Sequence, residues 1–152
     1  MTQTIVDNLY NESIDTIELL QSSGQVSDAA ISQLQFTKVF VLSAASYFED
    51  RIQDLITDLV NSSTQQNNAI ISFVKKKAIS LQYHTYFDWG TKGDPYKVGN
   101  NTNTFLSMFG DECKKALRAK IEDNDELKEA EKAFLEIGHM RNILVHSNFA
   151  VV

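Results

Sequence analysis

Chain breakers and crosslinking residues are scarce in this sequence. Its 152 residues include one proline, Pro95, and only 6 glycines, too little turn material for the many reversals of an all-β fold. The lone cysteine, Cys113, excludes an intramolecular disulfide and any cysteine-rich zinc site, and it fits a reducing compartment. No apolar run approaches the roughly 20 residues that span a bilayer. The first residues, Met1 to Asp7, lack the basic start and apolar block of a signal peptide. Lysine and arginine are missing before Lys38, where Asp7, Glu12, Asp15, Glu18 and Asp28 carry the charge alone. Over the whole chain, 14 basic against 20 acidic residues leave a formal net charge of −6, which argues against a protein that coats nucleic acid broadly. What is present, 43% hydrophobic and 22% charged residues, is a globular composition at the size of one domain. The expectation is one helical domain over residues 1–152, cytoplasmic and without a membrane span.

Periodicity then assigns the elements. Ile5, Leu9, Ile14, Ile17 and Leu20 recur at helical spacing, and Gly24 stops that segment. Ser27 and Asp28 offer an N-cap to a second, longer helix over about Asp28–Val60, whose stripe runs through Leu34, Val41, Phe48, Ile52 and Leu59. A third helix is expected over about Gln65–Gln82, through Ile70, Phe73, Ile79 and Leu81. The stretch Tyr83–Asn103 differs in kind. Gly90, Gly93, Pro95 and Gly99 make it a long loop, while Tyr83, Tyr86, Phe87, Trp89 and Tyr96 demand that it pack on something. Helices over about Thr104–Ile121 and Glu126–His146 complete the pattern. The fold class is all-α: an antiparallel bundle of about five helices with one long aromatic-rich loop.

One segment concentrates polar chemistry on an otherwise apolar helix: His139-Met140-Arg141-Asn142-Ile143-Leu144-Val145-His146-Ser147. Positions i, i+3 and i+7 share a helical face, so His139, Asn142 and His146 line up. Arg141 stands about 140° around the axis from His146 and about 7.5 Å along it. A single helix therefore does not set these two side by side, whereas a second copy facing the first would, which favours a two-fold dimer site. A neutral imidazole can take up a proton, and the imidazolium can give one back to a leaving group. A guanidinium neutralises charge building on phosphoryl oxygens without changing its own protonation state.

The Arg141-Asn142-x-x-x-His146 segment resembles the Arg-polar-x-x-x-His signature of the HEPN superfamily. With three arginines and three histidines in the chain, chance supplies roughly 0.06 pairs at this spacing. The approach Phe134-Leu135-Glu136-Ile137-Gly138-His139 looks like the final helix of that fold, and Ser43–Ile52 looks like the middle of its long second helix. The branch most similar is the prokaryotic RiboL-PSP-HEPN and MAE-type nucleases. The resemblance implies RNA cleavage to 2′,3′-cyclic phosphate and 5′-hydroxyl ends, in a cleft to which two subunits contribute. It implies a homodimer acting as a toxin or phage-defence effector, held in check by a neutralising antitoxin or defence-system partner. The roles follow: Arg141 for charge stabilisation, His146 for acid–base work, Asn142 for positioning, with no cofactor and no metal.

Other residues stand between two readings. His139 is a supporting residue or a surface or interface histidine. Glu49 orients Arg141 from the long helix or pairs with Arg51 in solvent. Lys75, Lys76 and Lys77, with Lys114, Lys115 and Arg118, steer RNA or simply solvate a surface. Trp89 and its neighbours stack on bases or pin the loop to the bundle. The alternative to an enzyme is a non-catalytic HEPN module that binds a partner protein, nucleotide or RNA.

Overall fold

A computed structural model describes residues 3–64, 68–79, 82–91 and 93–146. The chain divides into two units, residues 1–47 and 48–152. Six α-helices and no strand occur among the described residues, so the all-α class holds.

In the first unit, α1 spans Ile5–Ser22. Thr4 caps it, its Oγ1 accepting the Asp7 amide at 3.2 Å while the Asp7 carboxylate accepts the Thr4 amide at 2.8 Å. That reciprocal pair satisfies two amides a bare helix start would orphan. Gly24 adopts φ 79 and ends the segment, a left-handed conformation that glycine takes without steric penalty. Helix α2, Val26–Ser63, runs 38 residues because no glycine or proline interrupts it. Its first 22 residues belong to the first unit, where Tyr10 of α1 meets Phe40 with ring centroids 5.7 Å apart.

The second unit holds the rest of α2 and everything after it. The third expected helix is shorter than its periodicity suggests: α3 covers Asn68–Val74, and the chain then widens into a π turn over Lys75–Ile79. The proposed start at Gln65 and the stripe position Leu81 lie outside the described residues. The helix expected over Thr104–Ile121 is two helices, α4 at Asn103–Ser107 and α5 at Asp111–Glu122. Gly110, at φ 90, is the reason, since it turns the chain and caps α5. Helix α6, Asp125–His146, closes the described chain.

The aromatic segment is a packed loop. Tyr83, Tyr86, Phe87 and Leu135 form a buried cluster, with Ile52, Ile56, Trp89, Phe105 and Phe134 against it. Phe87 sits at the centre, 4.9 Å from the rings of Trp89, Phe105 and Phe134. Offset and edge-on pairs at such separations add to the burial of the rings themselves. The Tyr86 hydroxyl donates to the Ala78 carbonyl at 2.8 Å, tying the loop to the π turn. Of the two readings of these aromatics, pinning the loop is what the packing displays. No helix among the described residues is long and apolar enough to cross a membrane.

Candidate active site

Helix α6 carries the Arg141–His146 segment in its last turns. Its first four turns are held by Phe134 and Leu135 in the aromatic cluster and by Gly138. A Cβ on Gly138 would lie 2.1 Å from Cζ3 of Trp89, so the indole rests on bare helix backbone. Interior glycine costs about 1 kcal/mol of helix propensity, and here it permits a close approach no other residue allows.

His139, next in sequence, is 1% exposed. Its Nδ1 lies 2.7 Å from the Trp89 carbonyl oxygen and its Nε2 2.9 Å from that of Asp94. Both partners are acceptors, so both contacts are hydrogen bonds only when the ring carries two N–H groups. The surface-histidine reading fails on this burial. The ring is a bolt between α6 and the aromatic loop, and any part it plays at the motif is through position.

The other motif residues lie nearer solvent. Arg141 and Asn142 are half-buried, and His146, the final residue of α6, is exposed. Arg141 Nη1 donates to the Asn142 Oδ1 at 3.1 Å, which fixes one edge of the guanidinium and leaves it with further donors. Among the described residues no ion pair joins Arg141 to Glu49, and the hydrogen bond of its guanidinium goes to Asn142 rather than His146.

Charges from two elements act instead on buried Tyr83. Burial raises the phenol pKa, the Glu49 charge raises it further and the Arg141 charge lowers it. The carboxylate of α2 and the guanidinium of α6 thus both act on one buried tyrosine from the loop between them. Glu49 is half-buried and accepts the Gln53 Nε2 at 3.2 Å. Arg51 turns to Asp54 at 3.9 Å, both well exposed, so it does not claim Glu49. Tyr83 was hidden from sequence reading because it looked like any other loop aromatic.

The steering cations separate into kinds. Lys75, Lys76 and Lys77 ride the π turn, all exposed. Lys115 reaches Glu112 at 3.5 Å in open solvent, and Lys114 is half-buried. Arg118 is committed inside the fold: its two terminal nitrogens meet both carboxylate oxygens of Glu131 at 2.8 Å. Thr102 adds its amide and hydroxyl to the same carboxylate, at 2.8 and 2.7 Å. The Arg118–Glu131 pair thus joins α5 to α6, and the Glu131 carboxylate ties in the start of α4.

A family profile described as RiboL-PSP-HEPN matches residues 7–151. The chain belongs to that family, within the HEPN superfamily. No curated protein and no solved structure matches it.

Proposed function

We propose that this protein is an endoribonuclease that cuts RNA without a metal, at a cleft built by two copies of α6. The observation that carries the reading is the accessible end of α6 in a chain of this family: half-buried Arg141 braced by Asn142, then exposed His146 on the last turn. His146 of one copy takes the 2′-OH proton, and the 2′-oxygen attacks the adjacent phosphorus. The bond from phosphorus to the 5′-oxygen breaks, solvent water protonates the leaving oxygen, and the imidazolium formed on His146 returns its proton to solvent. Charge on the phosphoryl oxygens is met by Arg141. The products are a 2′,3′-cyclic phosphate and a 5′-hydroxyl, with no external nucleophile and no redox step.

Positioning belongs to residues around the pair. Asn142 braces Arg141, whose charge and that of Glu49 both act on the buried Tyr83. His139 acts as a supporting residue by locking the loop to α6. Lys75, Lys76 and Lys77 attract the phosphate chain, with Lys114 and Lys115 as a second patch. The biological setting that fits is a cytoplasmic toxin or phage-defence effector, silenced by an antitoxin or defence-system partner until needed. The non-catalytic reading separates on one measurement. Purified protein in EDTA is expected to cut RNA and leave cyclic phosphate ends, while Arg141→Ala and His146→Ala each stop the cutting. Intact RNA with the wild-type protein, or cutting that survives either substitution, would sink the nuclease reading.

A further inference from the structure

The first unit presents a groove that the chemistry of α6 does not use. Between α1 and α2 lies an open cavity of about 240 Å³, lined by Tyr10, Ile14 and Ile17 on one side and Phe36, Thr37 and Phe40 on the other. Tyr10 is 53% and Ile14 36% exposed, so the aromatic and aliphatic lining opens to solvent at the α1 edge. Apolar side chains gathered in a groove at a protein surface mark a place where something docks.

Charge says what. Residues 1–47 hold five carboxylates and one basic residue, Lys38, which is itself buried. Helical spacing puts two of those carboxylates at the open edge. Glu18 stands one turn beyond Ile14, and Asp7 one turn before Tyr10. An RNA strand or an anionic lipid surface would be repelled by this rim. A second copy of the same unit would bring like charges together, an arrangement that costs rather than gains. A cationic partner with an apolar stripe meets both features at once.

We propose that the α1–α2 groove is a docking site for a lysine- or arginine-rich amphipathic segment of another protein, its apolar face seated on Tyr10, Ile14 and Phe40 and its cations facing Asp7 and Glu18. The proposal concerns the first unit alone and stands whether or not α6 cuts RNA. It gives a partner of this protein a chemical description: a basic helix laid into an acidic, apolar groove.

The test uses the full chain and two labelled 14-residue peptides, one of leucine and lysine in amphipathic helical order and one with glutamate at every lysine position. Fluorescence anisotropy is expected to report binding of the Leu/Lys peptide, weakening with salt, and none of the Leu/Glu peptide. Ile14→Ser and Glu18→Lys are each expected to weaken binding about tenfold. Glu129→Lys, which makes the same charge change on exposed α6, is expected to leave it unchanged. Circular dichroism establishes that each variant folds, and the surface substitution Glu18→Lys carries the test if Ile14→Ser does not. The proposal is overturned if neither peptide binds, if the Leu/Glu peptide binds as well, or if Glu129→Lys weakens binding as much as Glu18→Lys. It is also overturned if light scattering shows a self-association that Ile14→Ser abolishes, since a second copy would then be the occupant.

Discussion

The indole of Trp89 lies where the side chain of residue 138 would be, and Gly138 has none. The contact joins the aromatic loop to α6 one residue before His139 and three before Arg141, so whatever α6 does is aligned by this packing. A Cβ at 2.1 Å from Cζ3 and 2.2 Å from Cε3 must move a ring that also touches Phe87 and Phe134. Gly138→Ala is therefore expected to destabilise the fold by about 1–3 kcal/mol, the range for overpacking a filled site, although alanine is the better helix former. Urea titration followed by the single tryptophan's fluorescence checks it. A variant as stable as wild type would show that the ring has room to shift.

Two further glycines close the loop on itself. The Thr91 amide donates to the Lys97 carbonyl at 2.8 Å, and the two limbs of the loop approach backbone to backbone. A Cβ on Gly99 would lie 1.7 Å from the Asp88 carbonyl oxygen, and one on Gly90 1.8 Å from that of Lys97. Gly90 also holds φ 90, a conformation that costs other residues energy. Gly99→Ala is expected to open the loop base and release the Trp89 and Asp94 carbonyls from His139. Faster amide exchange at Thr91 and Lys97, with α1 unaffected, is the expected signature. Unchanged protection at Thr91 would count against this closure.

How much of this was legible in the sequence depends on the length of the signal. Helices α1, α2 and α6 carry many turns of apolar repeat, and the expected segments overlie them closely. The splitting of α4 from α5 hangs on Gly110 alone, and one glycine in a helical pattern reads equally as an interior residue. The π turn leaves no composition mark, because Lys75, Lys76 and Lys77 suit an ordinary helix as well. At the site, the motif could be read because its residues lie within six positions of one helix. Tyr83 and Trp89 could not be placed, since what they touch is set by packing between elements far apart in sequence. The burial of His139 had one local hint, the interior glycine beside it.

Arg118 and Glu131 make a pH-dependent join. Burial alone would raise the Glu131 pKa, but the hydrogen bonds from Arg118 and Thr102 outweigh it and hold the carboxyl below its ordinary value. A carboxyl lowered in the folded state stabilises the fold above its unfolded pKa of about 4.3 and loses that contribution as pH falls through the folded value. Arg118→Ala leaves a poorly solvated carboxylate and is expected to cost about 2 kcal/mol at pH 7. The deficit against wild type is expected to shrink as pH falls below about 4.3, where the unfolded chain takes up a proton at Glu131, and to close once the folded wild type does so as well. Urea titrations at pH 7 and pH 3 compare the two. A gap that stays constant would mean that Arg118 contributes by packing alone.

The lysines of the π turn are expected to act on binding rather than on chemistry. Lys75, Lys76 and Lys77 are exposed and adjacent, so replacing all three by glutamine removes about three cations without unpacking a core. KM for RNA is expected to rise several-fold with kcat nearly unchanged, and the salt dependence of kcat/KM to become shallower. Lys115→Gln is expected to do less, because Glu112 already offsets its charge. A fall in kcat with KM unchanged would move these residues from steering to the reaction itself.

The geometry of α6 makes the two-copy site testable without a structure of the dimer. Arg141 and His146 are five residues apart, about 7.5 Å along the axis and about 140° around it, and Arg141 hydrogen-bonds to Asn142 instead. If each cleft takes its arginine from one copy and its histidine from the other, Arg141→Ala and His146→Ala proteins complement on mixing. In a mixed dimer one cleft then pairs the intact arginine with the intact histidine, while the second cleft holds both substitutions. Random exchange makes about half of the dimers mixed, each with one working cleft of two, so about a quarter of wild-type RNase activity is expected to return. If instead one chain supplied both groups, no mixed dimer would contain an intact pair in either copy. Equimolar Arg141→Ala and His146→Ala, unfolded together and refolded, are compared with each alone. Activity returning toward a quarter supports shared clefts, and activity no higher than the single variants overturns them.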